Sequence, residues 1–222
     1  KQLEAHITVS VVDPLMLSVG WVFSEPEPLL GCTRMYEVYL AADASYEGRV
    51  TVPVLWDKKL GTIVNNESAE IIRMLNSQFN DLTGDTQDFY PERHRPEIDA
   101  INDRIYHDIN NGVYKTGFAT TQAVYEEEYS RVFTALDWLE ERLAQRTYLV
   151  GDSVTEADWR LFTTLVRFDS VYHGHFKLNR QKLIEFPRLS DYVDRLKATR
   201  STYYSQCGRS PHVVSGLGFL RA

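Results

Sequence analysis

The stretch "RVTVPVLWDKKLGTIVNNESAEIIRM", residues 49–74, decides the fold. β-Branched and apolar residues flank "KKLG", whose glycine can supply the positive φ that a tight hairpin connection needs. "RVTVPVLWD" and "TIVN" therefore read as two strands joined by a turn. Asn66 then precedes Glu67, Ser68 and Glu70. Acidic and hydroxyl groups suit the first turn of a helix, where amides lack intrahelical partners and the dipole end is positive. Ile71, Ile72, Met74 and Leu75 are the apolar positions of that helix.

Upstream, "HITVSVV" (6–12) is rich in β-branched residues and ends at Asp13-Pro14, which predicts a buried strand leaving into a loop that holds Trp21. Met35, Val38 and Tyr39 recur at helical spacing between Thr33 and Ala42. The order is strand, helix, strand, strand, helix. Residues 76–97 lose periodicity and gain Pro, Gly and Asp, the marks of a linker.

Beyond it the pattern is helical. Ile98, Ile101, Ile105 and Ile109 form one stripe, and Tyr125, Tyr129, Val132, Leu136, Leu139 and Leu143 a longer one. In "DSVTEADWRLFTTLVRF" Thr155 and Asp158 stand at capping-box spacing, with Val154 placed as a hydrophobic staple. Leu189, Tyr192, Val193 and Leu196 predict a last amphipathic helix, and after Arg200 the aperiodic, Gly- and Ser-rich text predicts no regular structure. The expected fold class is α+β: residues 1–80 a small mixed domain, 81–97 a linker, 98–222 an all-helical domain with an irregular tail.

Composition narrows the partners. The 222 residues carry a net charge of −7 with no Lys/Arg block, against nucleic acid. No stretch approaches the roughly 18 apolar residues that cross a bilayer, against a membrane span. Two cysteines, Cys32 and Cys207, exclude a disulfide framework and fit a reducing, cytoplasmic compartment. His173 and His175 lie two residues apart on different sides of a helix, with no cysteine or carboxylate at a ligand spacing, so no metal site is expected.

A small domain with a strand-proline hairpin, followed by a helical domain with a capped buried helix, resembles the glutathione transferase architecture, whose first domain is thioredoxin-like. The Val52-Pro53 pair looks like that superfamily's cis-proline site, and "ESAEI" like its site for the γ-glutamyl group of glutathione. The longer runs "GRVTVPVLWDKKLGTIVNNESAEIIRM", "NNGVYKTGFATTQ" and "LVRFDSVYHGHFK" closely resemble the glutathionyl-hydroquinone reductases, the xi class. By itself Pro53 also suits an edge strand, and Glu67 with Ser68 also suit a helix dipole.

The resemblance implies a homodimeric enzyme with glutathione as co-substrate, no bound cofactor, and an aromatic quinol conjugate as partner. It implies glutathione contacts at Trp21, Arg49, Val50, Thr51, Val52, Glu67 and Ser68. Val52 would offer a backbone edge to the extended peptide. Ser68 would take the γ-glutamyl carboxylate at the helix start, and Glu67 its ammonium. Tyr114 and Tyr172 match the tyrosines placed around the hydroquinone ring, where a phenol can donate to a quinol oxygen or stabilise a thiolate.

The family works through a cysteine in a Cys-Pro-Trp-Ala run at the start of the first helix, where the macrodipole lowers the thiol pKa. Neither Cys32, in "LLGCTRMY", nor Cys207 matches it, and the first β-α unit of a thioredoxin-like domain is not in view. The reductase reading therefore expects the catalytic cysteine upstream of these residues. The competing readings are a glutathione-binding module without turnover and a conventional conjugating transferase. The tail's "STYYSQ" lacks the histidine of the family's His-Tyr-Tyr run, so Tyr203 and Tyr204 receive no role.

Overall fold

The computed structural model describes residues 3–206. They divide into two compact units, one up to residue 87 and one from residue 88.

In the first unit, residues 21–23 run beside 33–35, with the Phe23 amide donating to the Thr33 carbonyl at 2.8 Å and the Met35 amide to the Trp21 carbonyl at 2.9 Å. Helix α1 (Met35–Ala42) comes next, and the Glu37 carboxylate accepts from the amides of Thr33 and Arg34 ahead of it at 2.7 and 3.0 Å. Its buried Met35, Val38 and Tyr39 make a small core with Phe23. Strands β1 (Leu55–Asp57) and β2 (Thr62–Asn65) form the hairpin, with Trp56 opposite Ile63. Its turn is held by Asp57 Oδ1, which accepts from the amides of Lys59 and Leu60 at 2.7 and 2.8 Å, and by Gly61 at φ 65°. Helix α2 (Ser68–Ser77) starts where Glu67 caps it by accepting from the Ala69 amide at 3.3 Å, and α3 (Asn80–Thr83) is one short turn.

The second unit is helical: α4 (Arg95–Ile105), α5 (Gly112–Gly117), α6 (Gln122–Arg142), α7 (Glu156–Arg167), the single turn α8 (His173–His175), and α9 (Pro187–Gln206). The three predicted apolar stripes meet in one core, with Ile98, Ile105, Ile109, Val132, Leu136, Leu139, Leu189 and Leu196 all fully enclosed. Among the described residues no helix is long and apolar enough to cross a membrane.

Three expectations are corrected. "HITVSVV" is not a strand: Val9 and Val11 are 80% and 50% exposed, and no neighbouring strand pairs with them among the described residues. β-Branched content expresses fit to a pleated, half-buried surface, and without a partner it does not make a strand. The aperiodic 76–97 region, inside which the two units divide, is not without regular structure: it contains the end of α2, α3, a 3₁₀ turn at Glu92–His94 and the start of α4. The last helix continues past Arg200 to Gln206, since no glycine or proline interrupts "STYYSQ". The expectation of an irregular tail otherwise concerns residues 207–222, Cys207 included, which lie outside the described residues.

The capping box at the start of α7 is formed, with more in it than the spacing showed. Asp158 is fully buried; its Oδ2 accepts from the amide and hydroxyl of Thr155 at 2.7 and 2.8 Å, and its Oδ1 from the Leu149 amide at 2.9 Å and the Tyr192 hydroxyl at 2.8 Å. Burial pushes this carboxyl up from its ordinary pKa while the four donors pull it down. Each buried donor left unpaired costs about 1–3 kcal/mol, so Asp158→Ala is expected to lower stability by about 3 kcal/mol or more. Urea unfolding followed by circular dichroism checks this; a loss below about 1 kcal/mol contradicts the role given to the carboxylate.

Candidate functional site

In the first unit the expected binding residues other than Trp21 sit on two segments tied together by one phenol. The Val52-Pro53 peptide bond is cis. One residue earlier, the Thr51 carbonyl accepts from the Tyr39 hydroxyl at 3.0 Å, and the Thr51 amide donates back to that oxygen at 3.3 Å. Asn66 Nδ2 donates to the same hydroxyl at 3.0 Å and to Thr51 Oγ1 at 3.3 Å. The segment leading to Val52 is thereby fixed against the segment leading to Glu67. Within the second segment, the Asn65 side-chain oxygen accepts from the Glu67 amide at 2.6 Å.

Glu67 is exposed and Ser68, half-buried, is the first residue of α2. The helix presents its amide end there, an arrangement that attracts a carboxylate. Trp21, Val50 and Val52 are half-buried and pack on the same small core. Arg49 is exposed, and its carbonyl accepts from the Tyr46 hydroxyl at 2.8 Å. Sequence reading missed Tyr39 and Asn66. Tyr39 was assigned only an apolar helix position, yet a tyrosine in a core brings a hydroxyl that needs partners, and that was the available signal.

In the second unit Tyr114 and Tyr172, 58 residues apart, come together with their hydroxyls 3.1 Å apart. Both positions depend on π-helical turns. The first, Tyr106–Asn110, closes with the Asn111 amide on the Tyr106 carbonyl at 2.9 Å just before α5; the second, Phe168–Tyr172, ends on the tyrosine itself. Such a turn inserts an extra residue and rotates the next helical segment about its axis.

Tyr172 is 1% exposed and Tyr114 half-buried. Burial pushes the Tyr172 phenol far above its ordinary pKa, the hydrogen bond to Tyr114 adds to this, and the Arg167 guanidinium opposes it. Tyr172 therefore keeps its proton, and either hydroxyl can donate to the other across the contact, leaving the second proton for another acceptor. The pair is enclosed by aromatic rings: Phe176 lies 5.6 Å from each of the two, and the 63% exposed Phe118 stacks 6.3 Å from Tyr114.

Comparison with known proteins shows the family of the chain. Residues 122–195 match the family described as Glutathione S-transferase, C-terminal domain. The chain is 53% identical to the glutathionyl-hydroquinone reductase PcpF of Sphingobium chlorophenolicum over 88% of this chain and 64% of that protein. It is 50% identical to YqjG of Escherichia coli, whose glutathione-bound structure superposes with a TM-score of 0.85 over 88% of this chain and 66% of that one. The crystal structure of glutathione transferase Xi 1 from Trametes versicolor is 43% identical, with a TM-score of 0.87, over 98% of this chain and 84% of that one. The chain belongs to the xi class of the glutathione transferases. Its fold is that of the class, and it spans just under two thirds of the length of PcpF and YqjG.

Cys32 does not have the surroundings of a xi-class nucleophile. It is half-buried on the core of the first unit, and burial, then the Glu37 and Glu27 carboxylates, push its thiol above the ordinary pKa. A thiol so placed is the less reactive form.

The Tyr172 shift has a consequence for stability. A folded-state pKa above the unfolded value gives stability that is fully present below the unfolded phenol's pKa of about 10 and lost as pH rises toward the folded one. Unfolding free energy is therefore expected to fall above about pH 10, and Tyr172→Phe to remove that part of the fall. Denaturant unfolding at a series of alkaline pH values checks this, and identical slopes in both proteins would contradict it.

Proposed function

We propose that this chain supplies the glutathione site and the phenol pair of a glutathione-dependent reductase that removes glutathione from glutathionyl-hydroquinones. The observation that carries the reading is the hydroxyl contact between Tyr114 and Tyr172. It joins two runs, "NNGVYKTGFATTQ" and "LVRFDSVYHGHFK", in a chain half-identical to enzymes named for that reaction.

The tripeptide would lie along Thr51-Val52, hydrogen-bonding to the backbone as an added strand. Its γ-glutamyl carboxylate would meet the Ser68 amide and hydroxyl, and its ammonium the Glu67 carboxylate. Arg49, Val50 and Trp21 would complete the contacts. Tyr39 and Asn66 would act behind them by holding the two segments in register.

In the reaction a thiolate attacks the sulfur of the conjugate. A mixed disulfide forms and the carbon–sulfur bond breaks; its electron pair goes to the ring carbon, which takes a proton as hydroquinone leaves. A second glutathione thiolate then attacks the mixed disulfide, releasing glutathione disulfide and the enzyme thiolate. The half-buried Tyr114 hydroxyl, with the protonated Tyr172 hydroxyl behind it, suits hydrogen bonding to the quinol oxygen. Cys32 does not suit the attack, and the resemblance assigns it to a cysteine upstream of these residues. On the same reading the protein is a cytoplasmic homodimer, a state that sedimentation would test.

Two measurements test the site. Tyr114→Phe is expected to lower the single-turnover rate by about 100-fold or more while glutathione affinity holds, because only the phenol oxygen is lost. An unchanged rate would show that this tyrosine merely packs. Ser68→Ala is expected to weaken glutathione binding about tenfold, equivalent to about 1.4 kcal/mol, without unfolding the protein. Calorimetry giving the parent affinity would remove Ser68 from the site. A parent protein that binds glutathione yet turns over no conjugate would instead be a binding module.

A further inference from the structure

We propose that Phe176 is a positioning residue for the Tyr114–Tyr172 pair, seated from one side by Gly117 and from the other by a hydrogen bond between Tyr125 and Lys177. The role rests on the reductase reading of the two tyrosines, and the chain is folded closely enough around the Phe176 ring to assign it.

Phe176 is 8% exposed, with its ring 5.6 Å from both tyrosine rings. On one side it lies against the backbone of Gly117, so closely that a methyl group at that position would overlap the root of the ring. A side chain there can be accommodated only if the whole phenylalanine moves, since the atoms in the way are Cγ and its two neighbours. Gly117 lies three residues after Tyr114 in α5, so displacing the ring disturbs the helix face that carries the phenol.

On the other side the chain turns back at once. The amides of Phe176 and Leu178 both donate to the Tyr172 carbonyl at 3.2 Å, and between them Lys177 has φ 57°. Lys177 is the only non-glycine in the left-handed region among the described residues, a conformation kept only where the surroundings enforce it. What enforces it is the Tyr125 hydroxyl of α6, which donates to the Lys177 carbonyl at 2.7 Å. The Tyr125 phenol is itself pushed up by burial and by its neighbour Tyr129, and so stays a donor.

The ring thus closes off the Tyr172 hydroxyl from water and restricts the rotation of Tyr114. Both effects keep Tyr172 protonated and Tyr114 as the phenol that meets substrate. A residue that only fills space would raise its neighbour's pKa by excluding water, but it would not change the chemical rate with glutathione affinity held.

The test uses ring-carbon-labelled tyrosine and NMR of the whole protein, with the Tyr172 resonance assigned by its loss in Tyr172→Phe. The groups set beside Tyr172 by geometry and charge are Tyr114 and Arg167, which every variant keeps. Phe176→Leu and Gly117→Ala are expected to bring the Tyr172 titration midpoint down toward the ordinary phenol value, and Tyr125→Phe to do so by less. In single-turnover assays Phe176→Leu is expected to lower the chemical rate about tenfold with glutathione affinity unchanged. Adding Phe176→Ala to Gly117→Ala should cost less than the two changes separately, because alanine lacks the Cγ and Cδ atoms that the new methyl would meet.

An unmoved Tyr172 midpoint in folded Phe176→Leu overturns the proposal, and if Gly117→Ala does not fold, Phe176→Leu and Tyr125→Phe decide alone. The NMR readout needs no substrate. A moved midpoint with turnover insensitive to Tyr114→Phe therefore sinks the reductase role of the tyrosines and leaves the positioning intact. An unmoved midpoint with turnover sensitive to Tyr114→Phe does the reverse.

Discussion

The helical unit depends on one carboxylate without water. Ionising a buried acid is costly unless the lost hydration is replaced, and at Asp158 it is replaced by four donors from three places in the chain: the α6–α7 loop at Leu149, the α7 start at Thr155, and α9 at Tyr192. Satisfying Asp158 therefore fixes where α7 begins and which face of α9 meets it. From that fixed start α7 runs twelve residues, and the π turn after it delivers Tyr172 to Tyr114. Packing within the core sets how tightly the helices close, but the buried acid specifies their register.

The same physics works on a smaller scale in the first unit. The Tyr39 hydroxyl donates to one carbonyl and accepts from an amide and an amide side chain, so its buried oxygen is fully paired only when residues 51 and 66 are both in place. Apolar burial by Met35 and Val38 could hold α1 against the sheet in several rotations. The hydroxyl removes that freedom, because a buried polar group without partners costs more than an imperfect apolar contact. In each unit a polar atom with several partners turns a greasy contact into a unique one.

The legible part of the sequence is the local part. The stripes through Ile98 and Leu136 and the Thr155–Asp158 box declare themselves because their period and chemistry lie within a few turns of one helix. Gly61 reads correctly for the same reason, and the start of α2 reads correctly to within one residue, with Glu67 as its cap and not in its first turn. The errors arose where the deciding partner was distant or missing. "HITVSVV" has strand composition and no strand beside it among the described residues. The π turns at Tyr106 and Phe168 have no composition of their own, since one extra residue in a helix is accommodated by packing. The expected site residues came from the likeness to a family, and composition alone could not have separated Tyr114 from the other tyrosines, 13 in all.

The two phenols at the candidate site are chemically the same and electrostatically different, and burial makes the difference. A single exposed tyrosine exchanges hydrogen-bond partners with water and presents its proton in no fixed direction. Enclosing Tyr172 at 1% exposure denies it water, so its hydroxyl has a protein oxygen as partner and its anion is disfavoured. Tyr114, half-buried, shares that hydrogen bond and is the phenol of the pair that lies nearer the surface. The outer phenol thus has a fixed, water-excluded partner because the inner one is enclosed. The cost falls on the surrounding fold, which is why a glycine, a left-handed lysine and two π turns crowd within a few residues of the pair.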